Sequence, residues 1–321
     1  MNLYEVHPSN FCAKADCETG QNRLMEQNRT FRIGDAVMLA KPLEPALYIV
    51  ATPIGNLGDI TLRALETLAA CDLVACEDTR TSRVLLDRYG ISTKTVSYHV
   101  HNEASSGARL LDDITSGKSV ALISDAGTPL ISDPGERIAS EAKERGIRVV
   151  PIPGASAVLA ALSSAGIATE RFFFDGFLPA KQGQRRSRLA SLASLDATLV
   201  FYEAPHRLTE TLEDMKSVFG DMRIGAVCRE LTKSFEEITR SDFRTLLERY
   251  SSDVRTRGEI VIVVAPPAEQ ATGAADIEAL LRSLIAEMPA SKAATEASRL
   301  TGEPKGDLYK RILAMKSEDN G

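Results

Sequence analysis

The sequence contains no apolar run near the roughly 18 residues that a membrane-spanning helix needs. Its first residues lack a basic stretch followed by an apolar one, so the expected location is cytoplasmic, with no membrane partner. The five cysteines, Cys12, Cys17, Cys71, Cys76 and Cys228, form no CxxC pair. Reduced thiols are therefore expected, and neither a metal site nor a disulfide framework. Positive charge is not in excess. A net charge of −6 argues against a surface coated for nonspecific nucleic-acid binding, while leaving room for a local basic patch. The spacing of Gly55 and Gly58 fits neither GxGxxG nor GxxxxGK[ST], which weakens dinucleotide and ATP readings. No internal repeat is visible. What remains is an ordinary globular composition, 44% hydrophobic and 26% charged over 321 residues, long enough for about two domains.

Residues 1 to 45 are polar and irregular, and Pro42 and Pro45 close them, so they read as a mobile N-terminal extension. From residue 46 the pattern alternates. Strand candidates 46–51, 72–76, 95–98, 119–123 and 147–152 are interleaved with helical spacings at 61–70, 79–89, 103–115, 136–145 and 155–165. Asp59 or Thr61 is available to cap the first helix. Residues 46–166 thus predict an α/β domain with an open, largely parallel sheet, whose ligands bind beyond the carboxyl ends of the strands. After Gly166 the aromatic run RFFFDGFLP, the basic start KQGQRRSRLASL, and the runs ATLVFYE, RIGAVCRE, FEEITR and GEIVIVVA predict a second α/β domain with a mixed sheet over 167–266. PPAEQATGAAD reads as a linker, at 267–275, before a helical segment at 276–321.

The stretch SDAGTPLISDPG, Ser124 to Gly135, follows the apolar run Val120 to Ile123 and precedes a helical pattern. Gly127 and Gly135 permit backbone angles closed to other residues, Pro129 and Pro134 stiffen the path, and Asp125 and Asp133 supply acceptors. Such a loop can wrap a small polar ligand. The same composition also suits a rigid strand-to-helix connection whose aspartates only cap turns.

LYIVATPIGNLGDIT, CEDTRTSRVLL, HNE, SDAGTPLISDPG, PGASA, FYEAPHR and RGEIVIVV, in this order, resemble the ribosomal RNA small subunit methyltransferase I family of the tetrapyrrole-methylase superfamily. The resemblance covers about Leu47 to Val264. It implies an enzyme that uses S-adenosyl-L-methionine to methylate a ribose 2′-hydroxyl of a decoding-centre cytidine in 16S rRNA. It also implies two α/β domains with the cofactor in the cleft between them, and a homodimer. Where the wider superfamily carries a GxGPGD-type motif, this chain has ATPIGNLGD, a departure that puts a tetrapyrrole substrate in doubt rather than the cofactor.

Within that resemblance, Ser124, Asp125 and the backbone of Ala126, Gly127 and Thr128 are candidates to meet the cofactor, with Pro53 at the end of the first strand. Pro153, Gly154, Ser156 and Ala157 open a helix whose free amides suit an anionic or hydrogen-bonding group, although Ser156 is equally a simple cap. Tyr202, Glu203 and Ala204 could face the cofactor from the second domain. A 2′-hydroxyl is a poor nucleophile at neutral pH, so a base should help. Asp78 and Glu103 lead the candidates, followed by Glu77 and His101. For RNA, Arg80 and Arg83 suit phosphate; Lys181, Arg185, Arg186 and Arg188 form the densest basic cluster, which His206 and Arg207 could extend. A basic helix face needs no ligand to explain it. The C-terminal helices could grip RNA or serve as a packing appendage. Two other readings stay open: a small-molecule methylase of the tetrapyrrole type, and a noncatalytic RNA-binding assembly factor.

Overall fold

The computed structural model describes residues 29–99, 102–132, 136–252, 257–267 and 274–318. They form two compact units, residues 1–266 and 267–321.

The larger unit holds two five-stranded sheets. The first contains β3 (Leu47–Val50), β4 (Leu73–Cys76), β5 (Thr95–Ser97), β6 (Val120–Ile123) and β7 (Val149–Ile152), in the order β5-β4-β6-β3-β7 and parallel throughout. Helices alternate with the strands: α1 (Leu62–Ala70), α2 (Thr79–Arg88), α3 (Glu103–Thr115), α4 (Glu136–Glu144) and α5 (Ala157–Ser164). Thr61 starts α1 by accepting from the Ala64 amide at 3.1 Å. Both faces of this sheet are covered, so its strands are apolar on both sides. Tyr48, Val50, Ala121 and Ile123 pack with Leu65, Leu68 and Leu86 on one face; Leu47, Ile49, Val120 and Leu122 pack with Leu110, Leu111 and Ile138 on the other. The chain leaves the neighbouring strands β4 and β6 in opposite directions, towards β5 and towards β7. A crevice therefore opens beyond their carboxyl ends.

The second sheet comprises β8 (Phe172–Phe177), β9 (Thr198–Glu203), β10 (Ile224–Arg229), β11 (Glu237–Asp242) and β12 (Ile260–Val264). Its order is β11-β10-β12-β9-β8; β8 and β9 are parallel and the other pairs antiparallel, a mixed sheet. Alternation divides its strands cleanly. Leu199, Phe201, Ile260, Ile262 and Val264 face a cluster with Leu189, Leu212, Met215 and Leu246 from α6 (Gln182–Leu192), α7 (Leu208–Phe219) and α8 (Phe243–Ser252). Val200, Ala226, Cys228, Val261 and Val263 face Val158, Ala161 and Leu162 of α5, with Ile54. Thus α5 and the loop after β3 join the two sheets through apolar burial.

Residues 29–45 depart from the mobile segment expected of them. Here β1 (Thr30–Ile33) and β2 (Ala36–Leu39) pair as an antiparallel hairpin. Phe31 and Ala40 are buried in the cluster that holds Leu65 and Leu68, and Arg29 pairs with Asp72. Two strands of four residues are too short to show a period, and the apolar surface they cover lies far along the chain. Residues 1–28 lie outside the described residues.

The smaller unit contains α9 (Ala274–Glu287), α10 (Ala290–Thr301) and α11 (Lys305–Glu318) around Ile277, Leu281, Ala293, Ala294, Ala297, Leu308 and Ile312. Gly302, with φ +72°, ends α10 in the left-handed conformation. No described helix is long and apolar enough to cross a membrane.

Candidate active site

The loops after β3 and β6 are tied by a two-residue ladder. Thr52 and Gly127 exchange backbone hydrogen bonds of 2.8 and 3.0 Å, and the Thr52 hydroxyl donates to the Ser124 carbonyl at 3.1 Å. Gly127 adopts φ +80°, and a Cβ there would stand 3.3 Å from Ile54 Cγ2. Thr128 donates its hydroxyl to the Ala155 carbonyl at 3.2 Å, fixing this loop to the start of α5. Leu130 and Ser132 carry φ of +76° and +62°, strain of the kind that collects at functional loops.

This braced loop forms one wall of a cavity of about 350 Å³ between the two sheets. Ala126, Gly127 and Thr128 line it with Ser156 and Ala157; opposite stand Tyr202, Glu203 and Ala204 at the end of β9. Residues from both α/β layers that the sequence singled out therefore meet at one place. Ile54, Phe177 and the stretch Gly258 to Val261 also line the cavity but were not singled out. Phe177, 57% exposed, reads in the sequence as one aromatic of a strand; its ring stands 5.5 Å from that of Tyr202 at the rim. Gly258, at φ +94°, lies so close to Glu230 that a Cβ would approach its Cδ to 2.3 Å. That contact joins the loop after β10 to the loop that leads into β12, which no local pattern reveals.

Other candidates fall elsewhere. Pro53, Ser124 and Asp125 line a second cavity, of about 280 Å³, with Thr52, Thr81 and Ser82 at the crevice between β4 and β6. Neither cavity is lined by Pro153 or Gly154; a Cβ on Gly154 would lie 3.0 Å from the Ala51 Cβ, so this glycine serves close packing. Ser156 caps α5 through the Leu159 amide. Glu203 is buried, accepts from its neighbour's amide and from Thr211 Oγ1 at 2.6 Å, and faces Arg207 at 3.3 Å. Its carboxylate is committed to holding the strand end.

The base candidates differ sharply. Asp78 caps α2, accepting from the Arg80 amide at 2.8 Å, and pairs with the Arg80 side chain at 2.7 Å. The Arg80 guanidinium and amide hold its carboxyl down to about 2, which makes it a weak base. Glu103 accepts from the Tyr98 hydroxyl at 3.0 Å, in the first turn of α3. Glu77 goes the other way: burial raises its pKa, the Asp125 charge raises it further, and His99 opposes both. His101 lies outside the described residues, as do Asp133, Pro134 and Gly135 of the central loop.

The basic cluster on α6 is largely taken up by acidic side chains, although Arg185 alone of it is buried. Arg185 is 1% exposed and donates from Nε to Asp214 Oδ2 at 2.7 Å; Arg186 donates to Oδ1 at 2.6 Å, and Gln182 to the same oxygen at 3.3 Å. Arg185 thus binds a buried carboxylate of α7 instead of phosphate, a partner 29 residues away that the sequence run does not display. Arg188 pairs with Asp175 of β8. Arg207 donates to the Leu178 and Pro179 carbonyls at 2.8 and 3.2 Å, which corrects it to a structural group too. Lys181 and His206 are exposed, as are Arg80 and Arg83, the latter 3.6 Å from Asp87. Among the described residues no group of three or more His, Cys, Asp or Glu could hold a metal ion.

The profile of the Tetrapyrrole (Corrin/Porphyrin) Methylases matches residues 46–247, and that of the RsmI C-terminal HTH domain matches residues 271–316. A Mesorhizobium japonicum protein named Ribosomal RNA small subunit methyltransferase I is 57% identical over 284 residues, which cover 88% of this chain and 97% of that protein. Among solved structures, the cobalt precorrin-4 methyltransferase CbiF aligns with a TM-score of 0.54 at 19% identity, over 69% of this chain and 95% of that one. A Thermus thermophilus uroporphyrin-III C-methyl transferase complexed with S-adenyl homocysteine aligns at 0.50 and 17%, over 68% and 97%. At such identities these two share the fold. The chain therefore belongs to the tetrapyrrole (corrin/porphyrin) methylases, and within them to the ribosomal RNA small subunit methyltransferase I family.

Proposed function

We propose that this chain transfers the methyl group of S-adenosyl-L-methionine to the ribose 2′-hydroxyl of a decoding-centre cytidine in 16S rRNA. The observation that carries the reading is the 57% identity to a named small subunit rRNA methyltransferase across nearly all of that protein. The cavity between the sheets suits the cofactor. Its apolar residues, Ile54, Ile131, Phe177 and Val261, offer surface for a flat ring, while the Thr128 amide and the first turn of α5 supply donors for polar ends, the Gly127 amide being held by the Thr52 carbonyl. When bound, the cofactor supplies a methyl group already activated on a sulfonium, so the protein needs to position and deprotonate an oxygen and little more.

Glu77 is the proton acceptor in this reading. Its raised pKa gives it more basicity than Asp78, and it directly follows β4, whose carboxyl end borders the crevice, although it lines neither cavity. Glu77→Gln is expected to lower kcat by about 10²-fold or more and to abolish the rise of rate with pH on the acid limb, with cofactor affinity unchanged. Exposed Arg80 and Arg83, one turn apart, serve RNA phosphates. The same reading makes the chain a homodimer, checked by sedimentation, acting in the cytoplasm where ribosomal subunits are found.

The test is methyl transfer from labelled S-adenosyl-L-methionine to 30S subunits and naked 16S rRNA lacking the modification, followed by mapping of the product. Label on a decoding-centre ribose supports the reading. Cofactor binding without label on either RNA favours a small-molecule acceptor.

A further inference from the structure

The second cavity has no assigned role. It is lined by Thr52, Pro53, Leu57, Thr81, Ser82, Val84, Leu85, Ile123, Ser124 and Asp125, and it lies where the chain leaves β4 and β6 in opposite directions. Its walls are chemically divided. Leu57, Val84, Leu85 and Ile123 are aliphatic, and Leu57 and Val84 are partly open to solvent. The polar side presents Ser82, Thr81 and Asp125. The Ser82 hydroxyl stands out: the residue is only 4% exposed, yet this oxygen meets no oxygen or nitrogen partner. It sits beside the Cys76 thiol, a weak partner that itself donates to the Val96 carbonyl at 3.6 Å. Asp125 lies at the open side, and its Oδ1 accepts from the Asp78 amide at 3.2 Å. That bond fixes the carboxylate in orientation.

We propose that this cavity receives the acceptor nucleotide as a flipped-out pyrimidine nucleoside bearing an exocyclic amine. The inference rests on the RNA-methylation reading above. Aliphatic walls on either side suit a flat base removed from its stack, and single-stranded bases are read along their exposed hydrogen-bonding edges. The amine of cytosine donates to the Asp125 carboxylate, the pairing expected between an acidic side chain and that base. The Ser82 hydroxyl donates to a ring acceptor. Uracil places a carbonyl where cytosine has its amine, facing Asp125 with two acceptors, so the site rejects it.

Position supports the same occupant. Ser124 and Asp125 line this cavity, while the next three residues, Ala126 to Thr128, line the cavity between the sheets. A nucleoside held in the first place therefore brings its ribose beside the second. The cavity between the sheets is bounded by different residues, so variants at the two sites separate nucleoside selection from cofactor binding.

The experiment compares 16S transcripts, assembled into 30S subunits, that carry cytidine or uridine at the methylated position. For the unaltered enzyme the expected ratio of kcat/KM favours cytidine. Asp125→Asn is expected to lower kcat/KM for cytidine by about 10- to 100-fold and to narrow the cytidine-to-uridine ratio, because an amide can donate as well as accept. Ser82→Ala lowers kcat/KM for cytidine through KM. Leu57→Trp, which fills the cavity from its open side, blocks transfer. In all three, the Kd for S-adenosyl-L-methionine measured by calorimetry, and the unfolding midpoint, stay as in the unaltered protein. An unchanged cytidine-to-uridine ratio in Asp125→Asn, or a loss of cofactor affinity in Asp125→Asn and Ser82→Ala, overturns the pocket while leaving RNA methylation standing. No transfer to either RNA by the unaltered enzyme overturns both.

Discussion

Asp214 and Asp78 each hold arginine. Asp214, on α7, is fully buried and takes Arg185 on one oxygen and Arg186 on the other. Asp78, at the start of α2, holds Arg80, whose side chain is 90% exposed. In the first case Asp214 and Arg185 lie inside the protein, where losing either leaves a desolvated ion behind. In the second, water replaces whatever is removed. The same two residue types thus anchor a helix pair in one region and leave a cation available to a ligand in the other.

The largest expected effect breaks the buried group. Asp214→Ala takes from buried Arg185 its closest carboxylate and leaves it Glu210 at 3.6 Å and the Ala180 carbonyl at 3.3 Å, at a cost of about 3–5 kcal/mol, read by urea unfolding. Replacing both partners by apolar residues, Arg185→Met with Asp214→Leu, is expected to cost clearly less than Asp214→Ala alone, because no charge stays buried. A smaller effect concerns acid. Burial pushes the Asp214 carboxyl up, but hydrogen bonds from Arg186 and Arg185 more than offset this and hold it below the usual carboxylate range. Its stabilisation is therefore present above the unfolded carboxylate pKa and is lost as pH falls through the lowered folded value. An unfolding midpoint followed downward from neutral pH falls in the unaltered protein, and this fall is flatter in Asp214→Ala. The smallest effect on stability belongs to the exposed region. Arg80→Ala with Arg83→Ala is expected to leave the unfolding midpoint unchanged, to raise KM for 30S subunits, and to reduce the salt dependence of binding by a slope of about 1 per arginine.

Much of this comparison was invisible along the chain. KQGQRRSRLASL reads as a solvated basic face, because the acid that buries Arg185 lies on another helix. The helix and strand alternation of residues 46–166 was legible because most of its parallel strands are short apolar runs and three of its helices are followed by glycine, at Gly90, Gly117 and Gly146. The hairpin at 30–39 was not: its strands are brief, and the surface they cover belongs to α1. The candidate cofactor wall of Ala126 to Thr128 and Tyr202 to Ala204 was legible as composition and resemblance. Phe177, Gly258 and Ile54 carry no local mark, since each acquires its place through a neighbour from a different strand.

Local chemistry thus determined the elements and their caps, the glycine positions with positive φ at Gly127 and Gly302, and the family pattern of loops. Those are short-range properties, fixed by sterics and hydrogen bonding within a few residues. Only the tertiary structure decided which charges are spent inside and which face solvent, and that Ser124 and Asp125 serve one cavity while Ala126 to Thr128 serve another. Burial and pairing depend on residues brought together from distant parts of the chain, and the cost of an unpaired charge is set by that surrounding rather than by the residue itself.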